Sequence, residues 1–436
     1  MRRVRSVVIF AVALLLTSCA GAGESTGGET GAGADAAPGV TDDSVVIGTH
    51  QPLTGPAAPG YSRISVAAKA MYDYINDNGG INGRRIDYRV EDDGYNPTRT
   101  VEVVKKLVLQ DEVFAIVGGL GTPTHSKVVR YLNQQGVPDL LVSSGASQWD
   151  DPGNSPMTFG FQVDYEREGK IQGKYIRDHL GGRKVGLMYQ NDDVGRDAQA
   201  GLDRFIKADV VSRQGYDPAN TDVLPQLSAL KDSGAEVVVC SCVPAFTALT
   251  ILTAARLGYR PRFVVSSIGA DPVTLTGLLR DFARRGGAEV SAAALLDGLI
   301  GTGYLPDVAS DDPWVALFRQ VHDRYIPNEP FTNTVAFGLA QAYTFAQALK
   351  LAGRDLTRGK LVDALESGKI TGPGVTPFAF SAGSHAGYTG AFVFQVNPDT
   401  TTRQLQGPMV TDRGSGAVRP APAHRSTPAD IALVGT

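Results

Sequence analysis

The chain has 436 residues, of which 42% are hydrophobic and 20% charged, so wholesale disorder is excluded and one ordinary domain is too small to hold it. A net charge of −4 without a basic run argues against a nucleic-acid partner. Three cysteines rule out a multi-bridge disulfide framework, and 51 glycines without a G-X-Y period rule out collagen.

Residues 1–19 read as an export signal. Arg2, Arg3 and Arg5 form a basic start, and Val7 to Leu16 is an apolar stretch well short of the ~20 residues a spanning helix needs. Leu16-Thr17-Ser18-Cys19 resembles a lipobox, which predicts lipidation of Cys19 and an anchor in the outer face of the cell membrane. Residues 20–43 are Gly, Ala, Ser, Thr and Glu without apolar periodicity, the composition of a flexible tether. Such a coil spans roughly 25 Å. No second stretch is long enough to span a bilayer, which excludes a pore or transporter in this chain.

From Val45 onward strands and helices alternate. Val45-Val46-Ile47-Gly48 is a short buried strand, and Ala67, Ala68, Met71, Tyr74 and Ile75 stripe a helix stopped by Asn78-Gly79-Gly80. Ile86, Tyr88 and Val90 alternate with charges as a half-exposed strand. Val101, Val104, Leu107 and Val108 stripe a second helix. Phe114 to Val117 is a buried strand, a helix is predicted over about 123–134, and Asp139 to Val142 is the next strand. This β-α-β-α-β-α-β order predicts a parallel sheet covered on both faces. The pattern restarts with strands at Val185–Tyr189, Val210-Val211, Val237–Cys240 and Phe263–Val265, separated by helical stripes at Ala198–Ile206, Leu224–Leu230 and Leu249–Ala255. The two units span about 45–163 and 164–297. A further apolar helix holds Phe337, Ala340, Tyr343 and Phe345, and 413–436 reads as a loose Pro-, Ala- and Ser-rich tail.

Ligands of doubly wound sheets bind beyond the carboxyl ends of the strands. That nominates the loops after Ile47, Val117, Val142, Tyr189, Cys240 and Val265. The sharpest of them is Gly118-Gly119-Leu120-Gly121-Thr122-Pro123. Its glycines would let backbone amides approach a ligand, Thr122 would cap a helix, and Pro123 suits the first helical position. Ser143-Ser144-Gly145-Ala146-Ser147 is a second loop of small polar residues. A dinucleotide fingerprint is incomplete, with Thr124 at the third glycine position, and no P-loop lysine follows. The hydrolase motif Gly-x-Ser-x-Gly is missing. His50 and His125 both follow strand ends, and hydrogen-bonded or solvated imidazoles are expected there rather than a metal pair. Asp192-Asp193 reads as a solvated loop pair. Cys240 and Cys242 share a strand face at a separation that disfavours a bridge, so free buried thiols are expected.

Several segments resemble the branched-chain-amino-acid-binding family, extracytoplasmic solute-binding proteins of ABC importers with the type I periplasmic-binding fold. They are Pro52-Leu53-Thr54-Gly55-Pro56-Ala57-Ala58, Asn78-Gly79-Gly80-Ile81-Asn82-Gly83, Asp92-Asp93 with Asn96-Pro97, Gly136-Val137-Pro138, and Thr221-Asp222 through Pro225-Gln226-Leu227-Ser228-Ala229-Leu230-Lys231. The resemblance covers about 44–400. It implies two doubly wound α/β lobes joined by a three-strand hinge, lobe 1 from 44–163 plus 298–386 and lobe 2 from 164–297 plus 387–412. It further implies hinge closure on a small-molecule ligand, delivery to a membrane ABC permease, no enzymatic activity and no cofactor or metal. By position, Thr122, Ala146 and Ser147 would hold an anionic end, with Tyr61 and Pro123 beside them and Asp193, Cys242 and Ser267 facing them from lobe 2. Amino-acid-binding members place an acid after the strand Phe263–Val265. Here Ser266-Ser267-Ile268 stands there, with Asp271 a few residues late, and expected aromatics near Asp193 and Cys242 are absent. The ligand class therefore stays open among amino acids, carboxylic acids, amides and other small polar metabolites. A ligand-sensing receptor on the same fold and a dinucleotide-dependent oxidoreductase are the rival readings.

Overall fold

The computed structural model describes residues 37–422 and 426–428. The export signal, the lipidated Cys19 and most of the tether lie outside the described residues. Residues 37–43 already pack: Val40 is buried, and the Gly39 carbonyl accepts from Val46 N at 2.7 Å. The tether expected through residue 43 is thus shortened.

The first sheet is built from β1 (Ser44–Gln51), β2 (Arg85–Asp92), β3 (Ala115–Val117), β4 (Asp139–Val142) and β5 (Thr158–Gly160), all parallel, in the order β2-β1-β3-β4-β5. Its central strands are apolar runs buried on both faces, as helices on each side require. The second sheet repeats that order with β6 (Val185–Gln190), β7 (Val210–Tyr216), β8 (Val237–Ser241), β9 (Arg262–Val265) and β10 (Ile300–Gly303), arranged β7-β6-β8-β9-β10 and parallel.

The hairpin of β11 (Phe378–Ser381) and β12 (Ser384–Tyr388) packs beside β5. Then β13 (Gly390–Val396), β14 (Thr402–Val410) and β15 (Arg419–Pro420) extend the second sheet in antiparallel fashion beyond β10. Helices Pro313–Tyr325, Asn333–Ala352 and Arg358–Glu366 return to the first sheet's side. The chain crosses between the two lobes three times: at 161–164, after β10, and at Thr389. All these elements belong to one compact unit.

Three expectations are corrected. The sequence places residue 298 onward in lobe 1, yet β10 still belongs to the second sheet. Its two glycines hid it from a hydrophobicity pattern, and they are there for packing. A Cβ on Gly301 would stand 2.4 Å from the Phe394 ring and one on Gly303 2.7 Å from the Phe392 ring. The segment after 413 is not loose among the described residues. β15 pairs with β14, and the buried Lys170 ammonium donates to Asp412 O, Asp412 Oδ1, Gly414 O and Gly416 O at 2.7–2.9 Å. Cys240 and Cys242 form a disulfide rather than free thiols. β8 ends at Ser241, so Cys242 lies past the straight strand and the two Cα atoms are 5.3 Å apart, within bridging range.

Candidate functional site

The carboxyl ends of both sheets face one another across a cavity. Leu120, Gly121 and Thr122 reach it after β3, Ser143 after β4, Tyr61 and Ile64 after β1, and Tyr95 after β2. The second lobe supplies Val194 after β6, Val243 after β8, and Ser267, Ile268 and Asp271 after β9. The crossings add Gln162, Tyr165 and Tyr304, and the long helix adds Asn333, Thr334 and Phe337 from its first turns. Among the described residues, no Lys, Arg or His lines it. The walls are aromatic and aliphatic, broken by a few convergent polar groups, as in small-molecule sites generally.

The polar groups come from both lobes. Thr122 Oγ1 lies 2.7 Å from Ser144 Oγ and 3.5 Å from Tyr165 OH. Burial pushes the Tyr165 phenol up to about 12, so it stays a neutral donor. Ser143 Oγ donates to Gly118 O and accepts from Gln341 Nε2. From lobe 2, Asp271 caps the helix Pro272–Arg285. Its carboxylate accepts from Thr274 Oγ1 at 2.6 Å and from Val273 N at 3.2 Å. Burial raises its pKa, only partly offset by those bonds. Behind Ser267, the buried Glu168 accepts from Ser267 N at 2.7 Å and from Thr302 Oγ1 at 2.5 Å, and burial raises its pKa too.

The first-lobe loops rest on a fully buried chain of four side chains. Asp93 Oδ2 to His50 Nδ1 is 2.8 Å, His50 Nε2 to His125 Nδ1 is 2.9 Å, and His125 Nε2 to Asp139 Oδ2 is 2.8 Å. The outer ring nitrogens face the two carboxylates and the inner ones face each other. Burial is the largest influence on His50 and lowers its pKa, against the opposing pull of Asp93. This chain explains Gly119, whose Cβ would lie 2.7 Å from both His50 Nε2 and His125 Nδ1. Gly121 supplies the turn, with φ of 106° that side chains avoid.

The same loop corrects the expected amide cradle. Leu120 N donates to His50 O and Gly121 N to Ser143 O, so these amides are already occupied. Gly121, not Thr122, is the cap residue, and the helix it opens has only the four residues Thr122–His125 before the chain restarts at Val129–Gln134. So short a helix offers little macrodipole to an anion. What Thr122 brings to the cavity is its hydroxyl.

Of the residues singled out in the sequence, the structure brings Tyr61, Thr122 and Ser267 to the cavity wall. It does not bring the others. Ala146 is buried in a cluster with Trp149, Tyr165 and Val194, and Ser147 N donates to Asp197 Oδ2 at 2.8 Å. Pro123 borders a separate depression with Pro56, Asn96 and Asp217. Asp193 pairs with Arg196 and accepts from Gln148 Nε2, and Cys242 is in the disulfide. In both of these cases the next residue, Val194 or Val243, lines the cavity instead. Asp271 reaches the cavity despite its late position, because Ser267–Gly269 forms a tight 3-10 turn that brings it round. The aromatics missing from lobe 2 are supplied by Tyr95, Tyr165, Tyr304 and Phe337. Tyr95 follows Gly94 at a positive φ of 58°, and no local hydrophobic period marks it.

The lobes touch around this cavity. Tyr61 OH donates to Ile268 O at 2.9 Å, Gln190 Nε2 to Tyr95 OH at 3.2 Å, and Arg413 Nη1 to Ser147 O at 2.7 Å. With that geometry established, a model described as periplasmic binding protein matches residues 44–402. The chain belongs to the periplasmic binding protein family. Leu/Ile/Val-binding protein homolog 1 of Brucella abortus (strain 2308) is 25% identical over 316 residues, covering 71% of this chain and 79% of that protein. Two solved members share the fold. A fatty acid ABC transporter substrate-binding protein from Thermomonospora curvata has a TM-score of 0.74 at 21% identity, covering 89% of this chain and 97% of that one. A branched-chain amino acid ABC transporter protein from Thermus thermophilus with bound valine has a TM-score of 0.73 at 18% identity, covering 86% and 98%.

Proposed function

We propose that this protein is the substrate-binding component of an ABC importer and captures a small amino-acid-like molecule with an apolar side chain. One observation carries the reading: the cavity is lined by hydroxyls from lobe 1 and a buried carboxylate from lobe 2 among apolar side chains. A ligand carboxylate would meet Thr122 and Ser143, its ammonium would face Asp271, and its side chain would lie among Ile64, Tyr95 and Phe337. The buried ammonium offsets the cost of burying Asp271 as an anion. Ligand shifts the lobes toward closure because only the closed arrangement contacts it from both sides. A lipid on Cys19 would hold the protein at the outer membrane face beside its permease, and Cys19→Ala should release it into the medium.

A long-chain carboxylate is the second reading, favoured by the apolar walls and by the fatty-acid-binding neighbour in the same fold. It leaves Asp271 without a cation. Calorimetry of purified protein against leucine, valine, phenylalanine, their amides and medium-chain fatty acids separates the two. Binding of the amino acids and not the fatty acids supports the proposal, and the reverse overturns it. Thr122→Val should weaken binding by about 1–3 kcal/mol, since one donor to a desolvated oxygen is lost. Unchanged affinity removes Thr122 from the site.

A further inference from the structure

The first crossing between the lobes carries a polar group that the protein itself leaves without a partner. Gln162 lies between β5 and the helix Tyr165–Leu180, is 6% exposed, and faces the cavity. Its Nε2 is buried with no hydrogen-bond partner. The amide is held from behind by shape rather than by bonds. A Cβ on Gly145 would stand 3.0 Å from Gln162 Nε2, 2.9 Å from the Tyr165 ring and 2.8 Å from Val163 O, so the glycine makes the space the amide occupies. Most neighbouring polar groups differ: Thr122 is engaged by Ser144, Tyr61 by Ile268 O, Tyr95 by Gln190 and Asp271 by Thr274, while the Ser267 hydroxyl shares the lack of a partner. A buried N–H without an acceptor is a cost to the folded protein, retained where something else supplies the acceptor.

We infer that Gln162 is a specificity-determining residue whose side-chain N–H donates to a carbonyl or carboxylate oxygen of the bound molecule. The inference rests on reading the cavity as the ligand site. Because Gln162 belongs to a crossing and not to either jaw, its amide is in position before the lobes meet.

The test uses Gln162→Met, close in volume and without the N–H, in the full protein after dialysis from denaturant to remove ligand. The first readout is the melting temperature without ligand. The second is calorimetric affinity for L-phenylalanine, L-phenylalaninamide and 2-phenylethylamine, which remove first the anion and then the carbonyl from one apolar body. The variant should melt about 1–3 °C higher, because an unpaired buried donor is gone. Its affinity should fall roughly tenfold for the first two compounds and stay the same for the third. A lower melting temperature shows that the amide has a partner inside the protein and overturns the inference. Equal losses on all three compounds, or no loss on any, overturn it too. Wild-type protein that binds none of the three fails the reading of the cavity instead, and the melting temperature then decides the role of Gln162 alone.

Discussion

The two lobes repeat one strand order, yet they fix the loops at their strand ends by different chemistry. In lobe 1 the loops after β2 and β3 are tied through β1 and β4 by the Asp93–His50–His125–Asp139 chain, which is ionisable and fully buried. In lobe 2 the equivalent loops after β6 and β8 are tied by Tyr216, whose OH accepts from Val243 N and donates to Gln190 Oε1, while the Cys240–Cys242 disulfide staples the end of β8 to its own loop. The same topological task is met once by buried ionisable side chains and once by a phenol's hydrogen bonds, with a covalent staple beside them. Lobe 1 should therefore respond to acid, and lobe 2 to reductant.

The sharpest way to break this contrast is His125→Ala, which leaves Asp139 and His50 buried without their shared partner. It should cost about 3–5 kcal/mol in urea unfolding, and a loss below about 1 kcal/mol would show that the chain is dispensable. The next effect is pH dependence. Burial holds the His50 pKa below its ordinary 6.5, so the unfolded chain takes up the proton more readily than the folded one. Its stability contribution is full above that value and is lost as pH falls below it. Buried Glu168 and Asp271, with raised pKa values, act in the opposite sense. The comparison is therefore between wild type and His50→Asn at pH 7.5 and 5.5. Wild type should lose more on acidification, and equal losses refute the titration. The smallest effect is expected in lobe 2. Replacing Cys240 and Cys242 by Ala opens only a three-residue loop and should cost about 1–2 kcal/mol. If reduction costs more than His125→Ala, the ranking of the two lobes is wrong.

The elements that were legible in the sequence are those whose burial is purely apolar. β4 and β8 announced themselves as runs of Leu and Val, the rule of strand carboxyl ends then nominated the loops beyond them, and the family resemblance singled out Tyr61, Thr122 and Ser267 there. The helix Tyr165–Leu180 escaped because its buried face includes Glu168, Lys170 and Gln172, polar residues satisfied by distant partners. No local pattern marks β10, whose glycines answer to Phe392 and Phe394 nearly a hundred residues on. The candidate site was legible to within a residue at Asp193 and Cys242. A residue count fixes a loop's place but not which side chain turns inward. Tyr304 and Gln162 stand just past β10 and β5, two short strands that no hydrophobic pattern marks.

The loop around Lys170 has a practical consequence. Asp412, Gly414 and Gly416 enclose an ammonium on lobe 2, while Arg413 between them holds Ser147 and Asp150 of lobe 1. A reporter fused in place of everything past residue 411 would cut this tie and let the halves gape. A fluorescent label meant to follow the motion therefore belongs on an exposed helix, with the natural end of the polypeptide left intact.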